Sequence, residues 1–239
     1  MSPVLQAAGW GFLASLPLLI GAWVALRNRP SDRIVGFIAA FGAGALISAV
    51  AYELVLDSAE QGAHWWLAAS LAVGAVTYWA GSRYLSRRSE SGVGGTRGLA
   101  LLMGATLDGI PESFILGISV ASGGGISIPF LVAVIVSNLP EGMASAVELG
   151  DGSGFTNRRI LGMWAIVVGV SALAAALGAV VMGFGTATGA AAEAFAAGAL
   201  LTMLTDDLIP VARERGGIGA GLAAVFGFAV AFALHELGA

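Results

Sequence analysis

Residues 34–57 read Ile-Val-Gly-Phe-Ile-Ala-Ala-Phe-Gly-Ala-Gly-Ala-Leu-Ile-Ser-Ala-Val-Ala-Tyr-Glu-Leu-Val-Leu-Asp, with no charge before Glu53. About 20 apolar residues are what a helix needs to cross a bilayer, so this stretch predicts a transmembrane span. Working outward, similar apolar runs lie near residues 5–26, 65–85, 98–121, 126–149, 160–184, 188–210 and 218–237. The sequence therefore predicts an all-α integral membrane protein of eight transmembrane helices, with residues 1–239 forming a single transmembrane domain. Composition agrees: 57% of residues are hydrophobic, only 11% are charged and the mean hydropathy is +0.88. A soluble domain carries roughly a quarter of its residues as charges. The 36 glycines permit close helix approach, the usual means of packing where lipid removes the hydrophobic drive between helices.

Charge placement predicts topology. The 11 basic residues are all arginines, at 27, 29, 33, 83, 87, 88, 97, 158, 159, 213 and 215, and they fall only in alternate loops. The positive-inside rule places those loops in the cytoplasm and both termini on the extracytoplasmic side. The first charge, Arg27, follows the first apolar run, so that run reads as a helix and not as a cleaved leader. The expected location is a bacterial-type plasma membrane. The small net charge of −4, with arginines spread over loops, gives no nucleic-acid surface, and the absence of cysteine excludes disulfide and thiolate chemistry.

Residues 34–57 also resemble a later stretch. Gly44-Ala45-Leu46 matches Gly198-Ala199-Leu200, Ser48 matches Thr202, Glu53-Leu54 matches Asp207-Leu208 and Gly62 matches Gly216, all at one offset. The two stretches would cross in opposite directions, the pattern of inverted repeats in secondary transporters. A 3+2+3 arrangement follows, in which the first and last triplets are related.

The two central spans carry the chemistry. Asp108-Gly109-Ile110-Pro111-Glu112 and Ser137-Asn138-Leu139-Pro140-Glu141-Gly142 share a proline followed by glutamate, each near mid-span. Ionisable groups at that depth are costly and usually functional. Asp108 and Glu112 share a helix face, as do Ser137 and Glu141. Each proline also removes a helical hydrogen bond and frees a carbonyl one turn back, near positions 107 and 136. Asp108, Glu112, Ser137, Asn138 and Glu141 are thus the candidate metal ligands, an oxygen-rich set suited to divalent cations. The competing interpretation of each motif alone is a kinked helix with one protonated, hydrogen-bonded acid. Glu53 and Asp57 at one end of the bundle, with Asp206 and Asp207 at the other, are candidate pathway residues that would concentrate cations by their field. His64 with Trp65 and Trp66, and His235 with Glu236, read as interfacial groups.

These paired Pro-Glu motifs, the outward termini and Asp206-Asp207-Leu208-Ile209-Pro210 resemble the ZIP (Zrt/Irt-like) family of divalent metal transporters. The resemblance spans nearly the whole chain. In the fifth span, Asn138, Pro140, Glu141 and Gly142 agree with the family motif, and Ser137 departs from it. The fourth-span motif of the family opens His-Asn and closes Pro-Glu-Gly, whereas this chain has Asp108, Gly109 and Ser113 at the departing positions. In the sixth span, Ser171 to Gly178 is similar to the family's Ser-Gly-Leu-Ala-Glu-Pro-Leu-Gly, with Ala175 in place of glutamate. The resemblance implies transport of zinc, manganese, iron(II) or cadmium toward the cytoplasm, with no organic cofactor and within a homodimer. It also implies that the first, fourth, fifth and sixth helices move against the other four. The lost histidine and glutamate leave one metal position, shifted toward harder ions, and Ala175→Glu is expected to restore a ligand. Two other classes compete. One is a non-metal small-solute carrier, proton-linked carrier or ion sensor on the same scaffold. The other, an intramembrane aspartyl hydrolase, lacks a second acid in a Gly-Asp setting, so no enzyme activity is expected.

Overall fold

The computed structural model describes residues 2–56, 65–91, 95–123, 125–152 and 155–237, without the side chains of 88–91, 95–102, 148, 151 and 152. Helix α1 (Pro3–Asn28) starts on a Ser2 cap with proline at its first position, where the missing N–H costs nothing. Helix α2 (Asp32–Ala49) continues directly into a π-helical segment, π1 (Val50–Leu56). Helices α3 (Trp65–Ser91), α4 (Gly95–Ala121), α5 (Ile128–Gly152) and α6 (Asn157–Met182) follow. Helix α7 (Thr186–Met203) runs into a second π segment, π2 (Leu204–Leu208), and then α8 (Ile209–Gly216). A 3₁₀ turn (Gly217–Gly219) leads to α9 (Ala220–Glu236). No strand occurs among the described residues.

Among the described residues, five stretches are long and apolar enough to cross a membrane: Pro3–Asn28, Asp32–Leu56, Ile128–Val147, Asn157–Met182 and Thr186–Glu236. The last is not one straight rod. Gly217 has φ 66, a conformation glycine adopts without strain. Arg215 pairs with Asp32 at 3.1 Å, while His235 meets Glu53 at 2.6 Å. Helix α9 therefore runs back along α2, away from the end at which α8 arrives. The large apolar side chains that face outward, such as Ile166, Leu173, Leu222 and Val225, are the reverse of a soluble surface. This is a helical membrane protein.

Neighbouring helices give their directions through matched contacts. Helices α1 and α5 run the same way, since the Asn138 side-chain amide donates to the Ala14 carbonyl at 2.9 Å and Leu26 reaches Gly150. Helices α2 and α5 run oppositely: Gly42 packs on Ser137, whereas Glu53 bonds Ser127.

Glycines set the closest of these contacts, and they recur in pairs. A side chain at Gly44 would strike the Ala224 carbonyl, and one at Gly198 would strike that of Leu71. Gly227 meets Phe41 in the same way, and Gly74 meets Phe195. The offset from Gly44 to Gly198 is 154 residues, and it is again 154 from Phe41 to Phe195. On the partner helices, Leu71 to Ala224 and Gly74 to Gly227 are both 153 apart. The central helices behave likewise: Gly21 meets Leu139 as Gly178 meets Phe114, and Gly142 meets Leu18 as Gly117 meets Ala175. The π segments obey the same rule, beginning at Val50 and at Leu204, also 154 residues apart.

Candidate functional site

The two central helices carry Asp108, Glu112, Ser137, Asn138 and Glu141 into the interior, but not as one preassembled cage. Among the described residues, no three His, Asp or Glu side chains converge in an arrangement that could hold a metal ion. Asp108 and Glu141 line a cavity of about 450 Å³, together with Asp206, Asp207 and Glu214. Glu112, Ser137 and Asn138 do not line it. Glu112 is only 1% exposed, and its Oε1 lies 3.5 Å from the Ser137 hydroxyl. Ser137 itself donates to the Val134 carbonyl at 3.0 Å. Asn138 is committed to Ala14 through its amide nitrogen.

The separation has a geometric cause. Pro111 and Pro140 are 29 residues apart, yet the matched glycine contacts relate α4 to α5 by an offset of 25, from Gly117 to Gly142. The two Pro-Glu motifs are therefore slipped by four residues, about one helical turn. Glu112 corresponds to Ser137, the residue it touches, and Glu141 corresponds to the apolar Leu116.

A residue not singled out in the sequence organises the cavity wall. The Tyr78 hydroxyl, on α3, is hydrogen-bonded to Asp108 Oδ1 and, at 2.7 Å, to Asp207 Oδ2. It is 2% exposed and joins three elements, α3, α4 and π2. One hydroxyl proton cannot serve two carboxylates, so a second proton on one of them is required for both bonds to hold. No sequence signal marks this tyrosine, because its partners lie 30 and 129 residues away.

Several buried oxygens have no partner among the described residues: Glu112 Oε2, Glu141 Oε1 and Asn138 Oδ1. Orphaned buried acceptors are costly unless something else fills them, such as a cation, water or proton. Among the described residues, the cavity wall carries five carboxylates and no basic side chain. A neighbouring space of about 440 Å³ shares Ser82, Ser86, Asp206 and Asp207 with it and adds Arg83 and Arg87. The cavity thus communicates with the arginine-bearing end of the bundle.

At the opposite end, side-chain bonds tie three elements together. Glu53, on π1, accepts from the Ser127 hydroxyl at 2.7 Å and meets His235 Nδ1 at 2.6 Å. The Tyr52 ring lies 5.4 Å from that of His235. His235 is therefore a partner of a candidate pathway acid, not merely an interfacial group. Asp57, the other pathway candidate at this end, lies outside the described residues. Asp206 and Asp207 sit on π2 and line both the cavity and the neighbouring space at the arginine-bearing end. Ala175 is fully buried, its side chain against Gly11 and its carbonyl against Gly117, which leaves no room for a glutamate. No family profile and no curated protein matches the chain.

Proposed function

We propose that the chain is a transporter of divalent metal cations, crossing the membrane eight times in a 3+2+3 arrangement whose outer triplets form an inverted repeat. The observation that carries the transport function is the acid-walled cavity, which reaches Asp108 and Glu141 from the arginine-bearing end, while Glu53 at the other end is held by Ser127 and His235. A negatively lined recess with low-dielectric walls concentrates cations, and unpartnered carboxylate oxygens at its floor supply hard ligands. Exchange of α1 with α6, α2 with α7–α8, α3 with α9 and α4 with α5 reproduces the paired glycine contacts, which supports the repeat. The likeness of the Pro-Glu motifs to the ZIP family supports zinc, manganese, iron(II) or cadmium as cargo and the cytoplasm as the open side. A homodimer in a bacterial-type plasma membrane, with both termini extracytoplasmic, completes this proposal.

The second interpretation is a proton-linked carrier of another small solute, favoured by the proton count at the Tyr78 bridge. Uptake into proteoliposomes separates the two. Zinc, manganese, iron(II) and cadmium should each be offered to the unmodified protein, to Asp108→Asn and to Glu141→Gln. Uptake of at least one ion that both substitutions reduce more than tenfold supports metal transport. Absence of uptake for every ion, or uptake indifferent to both substitutions, overturns it.

A further inference from the structure

Two facts about the cavity stand in tension. Its wall is rich in carboxylates, yet no three of the described acids converge on one point. Tyr78 reconciles them. Its hydroxyl engages Asp108 and Asp207 together, and these are two of the acids an ion at the cavity floor would need. A carboxylate oxygen bound to a phenol is not free to turn toward a cation, and a hydrogen bond to a charged group is among the stronger ones a protein makes.

We infer that Tyr78 is a positioning residue that discharges the cargo ion: in the cavity-open state its hydroxyl captures Asp108 and Asp207 and so dismantles the ligand set. This rests on the metal-transport proposal above. The ion and the hydroxyl compete for the same two carboxylates, so the open state releases its ion to solvent without requiring a large rearrangement of α4. The tyrosine is buried, and among the described residues its hydroxyl bonds only these two acids, which fits a group whose role is to hold them. Glu141 keeps an unpartnered buried oxygen at the cavity floor in the same state.

Removing the hydroxyl while keeping the ring separates this role from simple packing. The purified protein should be titrated with Mn²⁺, free ion being followed by its electron paramagnetic resonance signal, and Mn²⁺ uptake should be measured in proteoliposomes. Tyr78→Phe should bind Mn²⁺ at least tenfold more tightly than the unmodified protein and turn over more slowly at saturating Mn²⁺. A residue with only a structural role would leave affinity unchanged or weaken it. Tyr78→Met gives the same test should the phenylalanine variant fail to fold. Equal or weaker Mn²⁺ binding in the folded variants, with the unmodified protein binding measurably, overturns the inference and leaves the transport proposal standing. Failure of the unmodified and variant proteins alike to bind Mn²⁺ overturns both.

Discussion

At the scale of single residues, the two glutamates that follow prolines are not interchangeable. Glu141 faces the cavity, whereas Glu112 is packed against Ser137 and away from it. Glu141→Gln should therefore weaken Mn²⁺ binding at least tenfold more than Glu112→Gln does, as read by the same titration. Equal losses would mean that Glu112 swings into the cavity when an ion is present. Ala175 is the other instructive position. Family likeness suggests that glutamate there would add a ligand, yet the site lies where α6 touches the glycines of α1 and α4. A longer side chain would overpack that contact and bury a charge without a partner, so Ala175→Glu should cost about 3 kcal/mol or more. Thermal unfolding in detergent would show it as a lowered midpoint, and a variant of unchanged stability with tighter metal binding would reinstate the sequence expectation.

At the scale of elements, the repeat makes a prediction that ordinary helix packing does not. Gly44 on α2 and Gly198 on α7 occupy corresponding contacts, each against a carbonyl of the partner helix. Valine at either position must push two backbones apart, and the two substitutions should lower the unfolding midpoint by similar amounts, each corresponding to about 2 kcal/mol or more. A large effect at one and none at the other would count against the equivalence. Much of this was legible in the chain. The 20-residue apolar periods and the arginine loops mark the helices, and the observed ends lie within a few residues of those expected, as for residues 5–26 against Pro3–Asn28. The Gly44–Gly198 likeness also marked the offset. What was hidden is what depends on distant partners. The π segments have no local composition signal, and they put Glu53 and Asp207 on widened backbone of a kind often found at functional sites. Tyr78 and His235 look ordinary in sequence because the acids they hold lie far along the chain. The slip between the Pro-Glu motifs is invisible until the packing offset of the two central helices is known.

At the scale of the whole molecule, the proposed repeat relates the two ends of the bundle, and they carry different bonds. At one end, Asp207 on π2 is tied to α3 through Tyr78 and borders an open cavity. At the other, Glu53 on π1 is tied to α9 through His235 and to the start of α5 through Ser127. The 154-residue offset carries Asp207 onto Glu53, and the 25-residue offset carries Asp108 onto Ala133, which is fully buried here. If the repeats exchange conformations, a cavity opens at this end where Glu53 parts from His235, and Ala133 becomes wall. The chain has no cysteine, so single reporters can be placed without background. With a membrane-impermeant maleimide, Ser145→Cys on the present cavity should react from the arginine-bearing side, and Ala133→Cys should be inert. Adding His235→Ala or Glu53→Gln removes the tie that favours closure. Ala133→Cys should then gain reactivity from the opposite side while Ser145→Cys loses it, since one end opens at the expense of the other. Rates that do not change, or that rise together at both reporters, would mean that the Glu53 cluster is static packing or that its loss merely loosens the bundle.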